Sequence, residues 1–304
     1  MEIKQVLVAL DFTEMDENLI RYACFMDKLY DFDKVYFLHV AKTLEYPQEL
    51  LDKHPELLAP LDDTYKHDIK LELGKCWKGD LAKAELKVVD GNPEEQVLKW
   101  AKIKEVDLIL LGRKVVMKGS GLVPGKVARA APCSIMLVPE KVNFEINKIL
   151  LSVDFSRHSH LVAEQCLHLA EASKNTKLVF FHVYHVPMGY SKIGKTFEEF
   201  AEIMKGHAKR DMNEFISKLD LEGHDYEFKY VCSHDKDVLD EIVEYSVKND
   251  VDVLAVGSKG RTNAASFLLG SLAEKLVNRN AKIPFLIVKQ KGSNMGFLEA
   301  IFRL

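Results

Sequence analysis

The 304-residue chain is 47% hydrophobic and 29% charged, which supplies apolar side chains for about two globular cores and excludes a disordered or fibrous chain. With 42 Lys and Arg against 46 Asp and Glu, the formal charge of −4 argues against a nucleic-acid-binding surface. No apolar run reaches membrane-spanning length, and the opening MEIKQVLVALDF is too short and meets an acid too early for a signal peptide.

In chain order, residues 3–13 read IKQVLVALDFT, an apolar strand ending in Asp11-Phe12-Thr13. A second strand, VYFLHV, occupies 35–40, followed by a long polar, helix-patterned stretch over 44–83. A third strand over 85–89, an amphipathic helix over 94–103, a fourth strand over 107–111 and a last strand over 134–138 complete the pattern. After the short polar junction EKVNFEIN at 140–147, everything starts again. Residues 146–156, INKILLSVDFS, end in Asp154-Phe155-Ser156, and LVFFHV returns at 178–183. A polar helical stretch over 196–221, a strand over 226–231, a helix over 238–248 and strands over 252–256 and 284–288 follow. The chain is a tandem duplication.

Strands alternating with helices pair in parallel through right-handed crossovers, which puts helices on both faces of the sheet. The expected fold is α/β: two doubly wound, Rossmann-like domains, each with a five-stranded parallel sheet, over 1–140 and 145–290. The short junction predicts domains that pack together. A tail over 291–304 places Phe297, Leu298, Ile301 and Phe302 on one helical face, suited to docking on the chain's own surface or to a protein partner. Cys24, Cys76, Cys133, Cys166 and Cys232 lack paired spacing and read as reduced thiols, so a cytoplasmic protein is expected.

The stretch over 256–272, VGSKGRTNAASFLLGSL, follows the apolar strand over 252–256. Gly257 ends that strand, Gly260 follows, and Gly270-Ser271 opens a helix expected over 271–280. Glycines at a strand-to-helix turn allow close backbone approach to a phosphate and positive φ. The helix N-terminus complements an anion, and Ser271 is expected at the N-cap. The spacing fits neither a Walker A loop nor a dinucleotide G-x-G-x-x-G fingerprint. The plainer alternative is a strand–helix connection rich in small residues.

The spacing G-x2-G-x9-G-S resembles the ATP-binding motif of the universal stress protein family, and the likeness extends over nearly the whole chain as two units. The resemblance implies strand order 3-2-1-4-5 and a ligand crevice between strands 1 and 4, where Asp154 and Gly257 would meet. By the same likeness Asp154 contacts the adenine or ribose, Val183 holds the adenine edge through its backbone, and Val256 lines the base pocket. Gly257, Gly260, Gly270, Ser271 and Leu272 match the ribose and phosphate positions. Asp154 has a second reading as a cap of the helix that follows it. Lys259 and Arg261 flank Gly260, either neutralising phosphate or remaining solvated. The implied ligand is ATP, with or without Mg. The implied role is a stress-response sensor or regulatory module that binds ATP in its second domain. A slow ATPase, a nucleotidyl-transfer enzyme and a nucleotide-free interaction scaffold are the alternatives. No nucleophile–base pair and no carboxylate pair stands beside the loop. The family also pairs through its last strands, so residues 134–138 should lie beside 284–288 in an intramolecular pseudo-dimer.

The first repeat departs from the motif. Gly112 ends its fourth strand, but Val115 stands where the second glycine belongs. Gly125 keeps the overall spacing only at the expense of the following helix. Aligning back from the last strand instead puts Gly119-Ser120-Gly121 in the place of Gly270-Ser271, with a shorter connecting loop. GSGLVPGKV mimics Walker A but has short spacing and Val127 where Ser or Thr is needed. The first repeat is therefore expected not to bind ATP in the family's manner, although Lys114, Lys118 and Lys126 leave a smaller anion plausible. Cys232, His234 and Asp235 cluster after the third strand of repeat 2 but supply too few ligands for a metal site. His182 and His185 read as structural.

Overall fold

Each Asp-Phe motif sits at the end of a strand with both faces covered. In the computed structural model, which describes residues 2–41, 53, 61–114, 122–234, 236–260, 269–279 and 282–302, the first repeat supplies β1 (Gln5–Leu10), β2 (Lys34–Ala41), β3 (Ala84–Asp90), β4 (Leu108–Arg113) and β5 (Ser134–Pro139). The second supplies β6 (Lys148–Ser152), β7 (Lys177–His185), β8 (Asp225–Ser233), β9 (Val253–Gly257) and β10 (Phe285–Val288). Helices α1 (Met15–Tyr30), α2 (Leu61–Cys76), α3 (Pro93–Ile103) and α4 (Leu122–Ala130) belong to the first repeat. The second has α5 (Arg157–Ser173), α6 (Phe197–Ile216), α7 (Val238–Lys248) and α8 (Ser271–Val277), and the tail forms α9 (Met295–Phe302).

The strand order is β3-β2-β1-β4-β5-β10-β9-β6-β7-β8 in one 10-stranded sheet. Read within each repeat, this is the expected order 3-2-1-4-5, and all pairings inside a repeat are parallel. The two halves join through an antiparallel β5–β10 pair, Phe285↔Leu137, Leu286↔Met136 and Ile287↔Ile135. The internal pseudo-dimer is present, and the sheet is consequently mixed where the two parallel halves meet. Period-2 alternation divides the apolar side chains between two layers. Val6, Val8, Leu108 and Leu110 pack with α1, whereas Leu7, Ile109 and Leu111 pack with Val97, Leu98 and Ala101 of α3. A two-sided burial of this kind is why these strands read as continuous apolar runs.

Local signals set the helix starts. Asn92 caps α3 by accepting the Glu94 and Glu95 N–H groups, with Pro93 in the first turn. Thr196 and Glu199 form a reciprocal capping box at α6. The long helical stretches are shorter than their polar patterning suggested: α2 ends at Cys76 and α6 at Ile216. Residues 42–52 and 54–60 lie outside the described residues.

Cationic side chains stitch the two repeats. Lys289 Nζ, at the end of β10, donates to the carbonyls of Arg129 and Ala131 at 3.1 and 3.0 Å and so satisfies the C-terminus of α4. Burial pulls its ammonium down to about 8. Arg113 crosses the other way, donating to the Ile283 carbonyl at 3.1 Å with its guanidinium 4.1 Å from the Phe285 ring centroid. The junction packs as expected, with Ile146 buried and Phe144 against Phe25. The tail docks on the chain's own first repeat. Leu298 is fully buried, Lys102 pairs with Glu299 at 3.7 Å, and Gly292 N–H donates to Pro132 O at 2.9 Å. The side chains of Phe297, Ile301 and Phe302 lie outside the described residues.

Candidate functional site

The two strand-end motifs share one backbone device. Phe12 and Phe155 both take left-handed conformations, φ 64° and 63°, which an L side chain adopts only when its surroundings hold it there. The hold is visible. The Phe155 ring lies 4.4 Å from the His182 ring and that of Phe12 4.9 Å from His39. His182 Nδ1 meets the Val153 carbonyl at 2.7 Å, and His39 Nδ1 meets that of Leu10 at 3.1 Å. An imidazole nitrogen facing a carbonyl oxygen must carry the proton. Both histidines are thus braces between the first two strands of their repeat, in line with a structural reading. His234 packs on Phe197 at 4.3 Å; Asp235 lies outside the described residues.

In repeat 2 the carboxyl ends of β6 and β9 border a cleft of about 620 Å³. Asp154, Val183, Gly257, Gly260, Gly270, Ser271 and Leu272 all line it, although Asp154 and Gly270 are far apart in sequence. Val256 does not. It is 1% exposed, because alternation along β9 sends its side chain into the layer formed by α7 and α8. The expectation that it lines the base pocket is corrected accordingly. Arg261 lies outside the described residues.

Of the two reasons expected for the motif glycines, positive φ is not found. None of Gly257, Gly260 and Gly270 has positive φ, and Gly270 sits at φ −65°, ψ 152°. Close approach is what requires them. A Cβ on Gly270 would lie 3.0 Å from Lys259 Cα and 3.3 Å from the Ser258 carbonyl oxygen. A Cβ on Gly260 would stand 2.8 Å from Asp154 Oδ2, and one on Gly257 3.0 Å from His158 Cβ. The loop is folded back on itself, with Gly270 N–H donating to Ser258 O at 2.7 Å. The N-cap also shifts: Gly270 occupies it, and Ser271 is the first residue of α8.

Sequence spacing missed several residues of the cleft. Ser159 lines it from the first turn of α5. Its hydroxyl donates to Asp154 Oδ1 at 2.6 Å and accepts the Asp154 N–H at 3.0 Å. Lys236, Lys259 and Lys275 bring positive charge, offset by Asp154 and Asp237. Asp237 caps α7 through the Leu239 N–H and pairs with Lys275 on α8, and that pairing holds its carboxyl below the usual range. Burial, and then Lys259, lower the His158 imidazole. Of these, Lys259 was already marked by its place beside Gly260, Asp237 carried an N-cap signal, and Ser159, Lys236 and Lys275 carried none.

Repeat 1 fills the same location differently. Lys114 reaches across from the end of β4 to form an ion pair with Asp11. Gly125 lies inside α4, its Cβ direction facing Val277, which agrees with the alignment taken back from the last strand. Val115, Lys118 and Gly119-Ser120-Gly121 lie outside the described residues. Where repeat 2 has Ser159, repeat 1 has the buried Asp16, whose carboxylate accepts the Asp11 and Phe12 N–H groups at 3.0 and 2.9 Å. Burial outweighs these bonds and lifts Asp16 to about 6. A carboxyl that holds its proton longer when folded than when unfolded contributes stability below about pH 4, and this is lost as pH rises through 6. Between pH 4 and 7 the unfolding free energy should therefore fall by about 2 kcal/mol more in the native chain than in Asp16→Ser. Urea titrations of both proteins check this, and parallel pH profiles would contradict it.

Comparison with known proteins agrees with the duplication. The Universal stress protein family model matches the chain twice, over residues 2–139 and 145–289. Universal stress protein MJ0577 of Methanocaldococcus jannaschii is 29% identical over 166 residues, covering 48% of this chain and 96% of that protein. A putative universal stress protein from Pseudomonas aeruginosa UCBPP-PA14 has the same fold with a TM-score of 0.66 at 14% identity, covering 99% of this chain and 98% of its own. A universal stress protein from Archaeoglobus fulgidus DSM 4304 gives 0.63 at 16% identity, with 94% and 97% covered. With two matches that together span residues 2–139 and 145–289, the chain belongs to the universal stress protein family and carries two of its domains in tandem.

Proposed function

We propose that the second-repeat cleft binds ATP or a closely related adenine nucleotide, and that the chain acts in the cytoplasm as a nucleotide-responsive sensor or regulatory module of the stress response. The observation that carries this reading is convergence: the strand-end Asp154 and the motif residues Gly257, Gly260, Gly270 and Ser271 line one cleft where the strand order reverses. In this reading Asp154 engages the ribose or base and Val183 the adenine edge. The glycines, Ser271 and Leu272 take the ribose and phosphates, and Val256 packs behind the base pocket. Small residues let backbone N–H groups approach phosphate oxygens, and Lys259 and Lys275 add countercharge, with or without Mg. None of the helices in the described residues is long and apolar enough to cross a membrane.

One nucleotide per chain is expected, because Lys114 already occupies Asp11 in the first repeat. Mass spectrometry of the purified chain under native conditions, followed by calorimetric titration with ATP, measures both identity and stoichiometry. A chain that neither carries nor takes up adenine nucleotide would overturn the reading. Two equivalent sites would overturn the division between the repeats.

A further inference from the structure

The duplication supplies an internal control at the strand-end aspartate, and it singles out one residue. We infer that Ser159 is the positioning residue for Asp154, and that the Ser-to-Asp difference at this place in the two repeats decides which strand-end carboxylate is presented to a nucleotide. The inference rests on the reading of the second cleft as a nucleotide site.

A serine hydroxyl donates and accepts at once. Ser159, 4% exposed, uses both capacities on one residue, accepting the Asp154 N–H and donating to Asp154 Oδ1. Ser156 N–H donates to the same oxygen at 3.0 Å. With Oδ1 held by two donors, the carboxylate has one orientation, and Oδ2 lies against Gly260, 2.8 Å from where that residue's Cβ would stand. The second oxygen thus faces the loop on the far wall of the cleft.

An ionised carboxylate at the same place can only accept. Asp16 takes the Asp11 and Phe12 N–H groups but has no hydrogen to give the Asp11 side chain, and Asp11 is among the charges that raise its pKa. Asp11 turns outward instead. Its side chain is 54% exposed, Oδ1 accepts from Thr13 Oγ1 at 2.6 Å, and Oδ2 pairs with Lys114. The strand, the aspartate, the left-handed phenylalanine and the bracing histidine are the same in both repeats. What differs at the carboxylate is the helix partner, Ser159 against Asp16, together with the Lys114 ion pair and the Thr13 hydroxyl that hold Asp11 where it stands.

The test uses the full chain, with two separate readouts. Ligand-free crystal structures of the native protein and Ser159→Asp report the Asp154 orientation. The expected result is an Asp154 that leaves Gly260 and points to solvent, as Asp11 does; an unchanged orientation would overturn the positioning role whether or not ATP binds. Calorimetry with ATP forms the second readout. Ser159→Ala should lower affinity about 10-fold and Ser159→Asp about 100-fold, the latter combining a lost donor with like-charge repulsion. Ser159→Thr, which keeps the hydroxyl, should stay near native affinity. In an Asp154→Ala background Ser159→Ala should cost nothing further, since its effect acts through that carboxylate. Additive losses would show a merely structural serine. A native chain that does not bind ATP while Ser159→Asp still releases Asp154 would refute the nucleotide reading and leave the positioning role standing.

Discussion

Gly270→Val should weaken ATP binding by at least about 100-fold, or roughly 3 kcal/mol, in a chain that remains folded. The effect follows from contacts rather than from dihedral preference. At φ −65° and ψ 152° a valine backbone is unstrained, so the substitution carries no left-handed penalty. Its Cβ, however, meets Lys259 Cα at 3.0 Å, Ser258 O at 3.3 Å and the Gly260 nitrogen at 3.4 Å. All three are backbone atoms of the opposite limb of the loop, and a main chain does not yield as a side-chain tip does. The limb must give by at least a few tenths of an ångström, which strains the 2.7 Å bond from Gly270 N–H to Ser258 O. That movement shifts Gly260 relative to Asp154 and misplaces the N–H groups that, in the proposed reading, meet the phosphates. Because the loop stands at the open end of the sheet, the core beneath it keeps its packing. Calorimetry paired with a thermal melt measures both quantities. Native affinity in a folded Gly270→Val chain would sink the site assignment.

How much of this was legible without coordinates differs from residue to residue. The duplication could be read directly, because strands buried on both faces need long apolar runs and each first strand ends in Asp-Phe plus a hydroxyl. The glycine spacing suggested both close backbone approach and positive φ, and the described glycines show close approach without positive φ. A glycine is demanded equally by positive φ and by a neighbour too close for a Cβ, and only the fold tells these apart. Val256 was misplaced for a related reason, since a motif position does not say which face of β9 a side chain takes. Ser159 had no signal, because its partner is defined by how the chain turns after Phe155. Lys289 reads as a surface lysine and is in fact buried at the C-terminus of α4, a helix of the other repeat. Long-range pairings of this kind leave no trace in local periodicity.

The second large effect belongs to the junction between the repeats. Leu286→Asp should destabilise the chain by about 4 kcal/mol or more, beyond the roughly 3 kcal/mol expected of Leu286→Ala. Leu286 is 1% exposed and lies opposite Met136, itself fully buried, in the antiparallel pair that closes the two sheets into one. A carboxylate there has lost its water and finds no donor, as both side chains belong to the apolar layer beneath α1 and α5. Opening the pair would also expose two sheet edges that each repeat otherwise covers with the other, so aggregation should accompany unfolding. Chemical denaturation reads the loss, and an unchanged midpoint would mean that the halves are stable independently of their join. The consequence reaches the proposed nucleotide cleft through one bond. Ser258 N–H, immediately after Gly257, donates to the Val288 carbonyl at 3.0 Å, so the loop limb that opposes Gly270 is anchored on β10 itself. Leu286→Ala, folded but loosened at this strand, should therefore lose ATP affinity by a few-fold in the same chain whose stability it lowers. Full affinity in that variant would separate the cleft from the junction, and the duplicated architecture would then serve only to cover the sheet edges.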